Sequence, residues 1–63
     1  MQMSLKAARI DAGLRQTDMA LSLNVSRKTI GSWESGKSAP TADKVDAICE
    51  LLGRSYDEIK WTV

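Results

Sequence analysis

The sequence contains no histidine, a single cysteine and no long apolar run. Without histidine, neither a Ser-His-Asp nor a Cys-His catalytic arrangement can be built. A lone Cys49 excludes an intrachain disulfide and cannot supply the clustered ligands of a zinc site. A reducing, intracellular setting is therefore the default. No stretch approaches the roughly 18 apolar residues of a membrane span. The start MQMSLKAAR lacks the apolar region of a signal peptide. The expectation is a cytoplasmic protein, not an enzyme, with no metal, no cofactor, no membrane partner and no small-molecule ligand.

Net charge is also scarce, at +1. It is unevenly spread. Residues 1–40 carry six cations against three carboxylates, and residues 41–63 three cations against five. The basic part includes Arg27, Lys28 and Lys37; the acidic part begins after them. A charged fraction of 27% with 43% hydrophobic residues is that of a globular chain and not of a disordered one. At 63 residues there is room for one domain, residues 1–63. A domain of this size buries only about 60% of its unfolded surface, so its core is thin.

Helix punctuation is what the sequence does contain. Ser4 is placed to cap a helix over about 5–12, stopped by Gly13, with Leu5, Ala8 and Ala12 on its inner stripe and Arg9 beside it. A second helix, about 16–23, turns Met19, Ala20 and Leu23 inward. Asn24 follows, a residue that tolerates the left-handed conformation of a sharp turn. Ser26 caps a third helix, about 27–35, stopped by Gly36. Thr41 caps a fourth, about 42–52, with Val45, Ile48, Cys49 and Leu52 as its stripe and Gly53 as its stop. Ser55-Tyr56-Asp57-Glu58 reads as a capping box opening a short fifth helix over about 56–60. No strand alternation or repeat is evident. The fold class predicted is all-α: four or five helices joined by short loops in a compact domain, with a helix-turn-helix at residues 16–34.

The third helix has two faces. At about 100° per residue, Arg27, Lys28, Gly31, Ser32 and Ser35 share one arc, and Thr29, Ile30, Trp33 and Glu34 the other. Ile30 and Trp33 anchor it inward. The polar arc is that of a helix entering a DNA major groove, or that of an ordinary solvated face. Gly31-Ser32-Trp33-Glu34-Ser35-Gly36-Lys37-Ser38 also fits the phosphate-binding pattern GxxxxGKS. That motif needs a strand before the loop and a helix after it, and neither is expected here. Cys49 reads as a core residue.

Arg9, Gly13-Leu14, Gln16, Ala20, Val25-Ser26, Thr29-Ile30, Trp33-Glu34, Gly36-Lys37, Pro40 and Leu51-Leu52-Gly53 together resemble the lambda-repressor-like family, the Cro/C1 or XRE type of helix-turn-helix domain. The resemblance covers about Leu5 to Ile59. It implies a five-helix domain that binds double-stranded operator DNA, roughly palindromic, as a homodimer. It implies that Gln16 holds a phosphate and braces the third helix. Ser26, Arg27, Lys28 and Ser32 match positions facing bases or phosphates, and Ser35 and Lys37 match backbone-contacting ones. Arg9 and Glu34 match an internal salt bridge. Three positions depart from the pattern. Arg15 stands where Ser or Thr usually caps, losing a cap and adding a charge near the expected DNA backbone. Asn24 stands where glycine is commoner. Gly31 lies mid-helix, either to allow close approach to DNA or for want of selection at an exposed site.

The reading is a small transcriptional regulator of the Cro kind, a phage or bacterial repressor, nucleoid-associated when bound. The rivals are an antitoxin and a protein-interaction module on the same fold. Trp61 is expected to cover the domain's own core or to join a dimer contact, with self-packing favoured.

Overall fold

A computed structural model describes residues 2–61. In chain order it contains β1 (Met3–Ser4), α1 (Leu5–Asp11), α2 (Gln16–Leu23), α3 (Arg27–Ser35), α4 (Ala42–Leu52), a 3-10 turn (Tyr56–Glu58) and β2 (Ile59–Lys60).

The helix starts are fixed locally. The Ser4 hydroxyl accepts from the Ala7 N–H at 3.0 Å, and the Ser26 hydroxyl from the Thr29 N–H at 3.1 Å. Arg15 supplies no side-chain cap to α2. Asp18 compensates by reaching back to accept from the Arg15 N–H at 2.9 Å. Thr41 stands at the N-cap position of α4 as expected, but its hydroxyl makes no capping hydrogen bond, which corrects the expected side-chain cap.

The helix ends share one device. After α2, Asn24 adopts φ 57°, and the Val25 N–H donates to the Ala20 carbonyl at 3.0 Å. After α3, Gly36 adopts φ 82°, and the Lys37 N–H donates to the Ser32 carbonyl at 3.0 Å. A left-handed residue lets the chain reverse while still satisfying a terminal carbonyl. That reversal sets α2 and α3 against each other as a helix-turn-helix.

Met19, Ile30, Ile48 and Ile59 are fully buried, and Leu5, Ala8, Ala20, Leu23, Trp33 and Leu52 complete the core. Lys44 joins α4 to α2 by donating its ammonium to the Leu23 carbonyl at 2.7 Å.

Several expectations change. The fifth helix over 56–60 is a single 3-10 turn followed by β2. Glu58 closes that turn by accepting from the Ser55 N–H at 2.9 Å. The extended backbone beyond it turns Ile59 into the core and pairs Ile59 with Met3 and Lys60 with Ser4 in a parallel ladder. Burying Ile59 and pairing the chain ends outweighs one more turn of helix. The same ladder corrects the expectation of no strand, although the class stays all-α. Lastly, α1 ends at Asp11, so Ala12 is exposed and the stripe is Leu5 and Ala8 with Arg9 buried beside them. Val45 and Cys49 are only partly buried, because α4 presents Ile48 and Leu52 to the centre.

Trp61 folds back on the domain. Its indole N–H donates to the Tyr56 carbonyl at 3.0 Å and its ring stacks on Tyr56 at 5.7 Å.

Candidate nucleic-acid interface

The inner side of α3 determines where its outer side points. Ile30 and Trp33 are buried in the core. Glu34, next to Trp33, turns inward toward α1 and α2. Its carboxylate accepts from Arg9 Nε at 2.6 Å, from Arg9 Nη2 at 3.2 Å and from Gln16 Nε2 at 3.1 Å. Arg9 Nη1 donates to the Leu14 carbonyl at 2.8 Å. One carboxylate thus ties the end of α1 and the start of α2 to the end of α3. The Arg9 and Glu34 side chains are only 9% and 5% exposed, so the pair is shielded from water and strong in consequence.

With that face committed, the other opens outward. Arg27, Lys28, Gly31, Ser32, Ser35 and Lys37 line a shallow concavity of about 470 Å³. Arg27, Lys28 and Lys37 are exposed, and none has a carboxylate within salt-bridge distance among the described residues. The Ser35 hydroxyl donates to the Ser32 carbonyl at 3.2 Å, which leaves its oxygen free to accept. A concave face with three uncompensated cations and two hydroxyls suits an anionic, hydrogen-bonding partner.

The remaining candidates stand elsewhere. Gln16 is half-buried at the start of α2, with one amide N–H given to Glu34. Its amide carries a second N–H that can point outward. The Ser26 hydroxyl is engaged as the cap of α3 and lies 2.9 Å from the Thr29 hydroxyl. Arg15 is 81% exposed and paired with Asp18 at 3.1 Å. Hydrogen bonds from Arg15 hold the Asp18 carboxyl below its ordinary range, and Asp18 in turn raises the Arg15 guanidinium.

The GxxxxGKS match fails on geometry. Gly31 to Ser35 are helical, and the N–H groups of Lys37 and Ser38 both donate to the Ser32 carbonyl, at 3.0 and 3.4 Å. They are spent on ending the helix and cannot converge on a phosphate. Among the described residues no group of three or more His, Cys, Asp or Glu is arranged to hold a metal. Among the described residues no helix is long and apolar enough to cross a membrane.

Two helices joined by a tight left-handed turn, the second with a buried inner face and a cationic outer one, define a helix-turn-helix domain. The helix-turn-helix family profile matches residues 5–59. The chain belongs to that family, in its Cro/C1 (XRE) type, which is one of DNA-binding regulatory domains. It is 41% identical over 39 residues to the 26 kDa repressor protein of Escherichia phage HK022. The match takes in 62% of this chain and spans 17% of that protein's length. No solved structure matches the chain.

Proposed function

We propose that this domain binds double-stranded DNA in a sequence-specific way and serves a small Cro/C1-type transcriptional repressor. The observation that carries the reading is the concavity on α3, lined by Arg27, Lys28, Ser32, Ser35 and Lys37. α3 enters the major groove there. Arg27 reads guanine through O6 and N7, Lys28 reads a base or holds a phosphate, and Ser32 contacts a base edge or the backbone. Ser35, Lys37 and the exposed Arg15 lie along the DNA backbone. Gln16 keeps its bond to Glu34 and offers its second N–H to a phosphate, so the contact that docks the domain also braces α3. Ser26 acts by fixing the start of α3 and presents its remaining hydroxyl capacity to the groove.

The domain's longest dimension is 28 Å. That is less than the roughly 34 Å between successive major grooves on one side of the duplex. Two copies on a roughly palindromic operator would each fill one groove. Regulation follows by occlusion or recruitment at a promoter, with no chemistry at the site.

The test is binding of a labelled operator, selected from random duplexes, by wild type and by Arg27→Ala and Lys28→Ala. Arg27→Ala should cost about 1–3 kcal/mol and relax specificity at one position. If Lys28 holds a phosphate, Lys28→Ala should lower the salt dependence of binding by about one ion. Unchanged affinity in both variants overturns the reading. Failure to bind any duplex, with capture of a partner protein instead, favours an antitoxin or interaction module.

A further inference from the structure

Gly31 is the one position on the outer face of α3 without a side chain, and nothing in the fold requires that. A Cβ built there meets no atom within 4 Å. Gly31 lies inside α3, in ordinary helical conformation, where alanine is the more stabilising residue. The gap it leaves faces the concavity. Arg27 and Ser35 stand one turn before and one turn after it on the same face, and Ser32 and Lys28 flank it. The fold is thus indifferent to a methyl group at position 31, while the outer face has a notch at its middle.

We infer that Gly31 is a specificity-determining position that recognises thymine, by taking the thymine 5-methyl group into the notch on α3, one or two base pairs from the guanine read by Arg27. The inference rests on the DNA-reading role proposed above. Thymine is the base that carries a methyl group into the major groove. A side chain at position 31 would compete with that methyl for the same space. Bare backbone admits it and places it against the Gly31 Cα and the aliphatic stems of Arg27 and Lys28. The spacing follows from geometry. One helical turn advances about 5.4 Å, and stacked bases are about 3.4 Å apart. Residues one turn apart therefore address bases one or two steps apart.

The experiment replaces thymine by uracil, which keeps every hydrogen-bonding group and removes only the methyl. Each thymine of the selected operator is replaced in turn, in both half-sites. For wild type, uracil at one thymine position, one or two steps from the guanine, should weaken binding about fourfold per half-site, the value of one buried methyl. Gly31→Ala should lose or reverse that preference, because its own methyl now fills the notch, while its thermal stability is equal or higher. Arg27→Ala should lose guanine discrimination and keep a thymine preference, reduced by the loss of the Arg27 stem. If no uracil substitution weakens wild-type binding, or if Gly31→Ala keeps the wild-type ratio, the inference is overturned. DNA reading by α3 then still stands, provided Arg27→Ala has lost guanine discrimination. If wild type binds no duplex, the underlying reading falls too.

Discussion

Replacing Arg9 by methionine removes the guanidinium from the Glu34 carboxylate while keeping most of the side-chain volume. Glu34 then loses its bonds from Nε and Nη2, and the Leu14 carbonyl loses its bond from Nη1. Only the Gln16 amide still donates to the carboxylate. That carboxylate belongs to a side chain 5% exposed, so water cannot replace what is lost. Removing one partner of a buried pair costs about 3–5 kcal/mol. A chain of 63 residues has a total stability of roughly 3–9 kcal/mol on the usual per-residue scale. Arg9→Met is therefore expected to bring the domain close to its unfolding midpoint at 25 °C. Glu34→Leu should do comparable damage by stranding the guanidinium. The double variant Arg9→Met/Glu34→Leu removes both charges together and should recover much of the loss, since an apolar replacement of a buried pair is often neutral. Urea unfolding followed by circular dichroism at 10 °C, on wild type, both single variants and the double, measures the coupling. We expect it to be about 2 kcal/mol or more. Single-variant losses that add to the double-variant loss within about 0.5 kcal/mol would falsify the claim that this pair holds α3 in place.

Three further outcomes are expected. Ile59→Ala should cost about 2–5 kcal/mol, whereas Leu21→Ala, at a side chain 82% exposed, should change stability by less than about 0.5 kcal/mol; equal effects in thermal melts would mean that β2 does not seal the core. The Asp18 carboxyl is held below its ordinary range by hydrogen bonds from the Arg15 side chain and backbone, so it contributes stability above about pH 4 that is lost as pH falls through its folded value. Asp18→Asn should thus lower the Tm at pH 7 and leave it unchanged near pH 2, and an equal drop at both would show that the charge is not the cause. Burial, with a smaller contribution from Asp46, pushes the Cys49 thiol up, so iodoacetamide at pH 7.5 should label it slowly in the folded domain and readily in urea; equal rates would contradict this.

The four helices were legible because their ends are written within a few residues of themselves. Ser4, Ser26, Asn24 and Gly36 act on backbone groups three to five positions away, and such contacts survive almost any tertiary setting. The C-terminal segment was not legible for the opposite reason. Ser55 to Glu58 carries a sound capping signal and does close one turn, but the chain beyond it obeys Met3, which is 56 residues away in sequence from Ile59. The available hint was the pair of apolar residues at the two ends, Met3 and Ile59, each outside a strong helical stripe. The division of α3 into two faces needed only helical phase. The bracing of α3 by Gln16 was legible only through the family resemblance, since a glutamine opening α2 gives no local sign of its partner Glu34, 18 positions on. The Arg9–Glu34 pair was likewise legible through the resemblance, whereas helical phase alone placed Arg9 only beside the inner stripe.

A net charge of +1 would rank this chain among indifferent surfaces, yet that total misdescribes the field near α3. Ion pairs sort the cations into two kinds. Arg9 is neutralised inside the fold by Glu34, Arg15 faces Asp18, and Arg54 is shared by Asp11 and Glu58. At physiological salt, screening acts over about 8 Å, so a paired charge is nearly silent to a partner beyond its own neighbourhood. Arg27, Lys28 and Lys37 have no such partner among the described residues, and they share one concavity. The exposed carboxylates Asp43, Asp46 and Glu50 cancel charge in the sum, but they stand on α4, outside that concavity. What an approaching polyanion meets is therefore set by which cations are left uncompensated and where, and the fold settles that by spending Glu34, Asp18, Asp11 and Glu58 elsewhere.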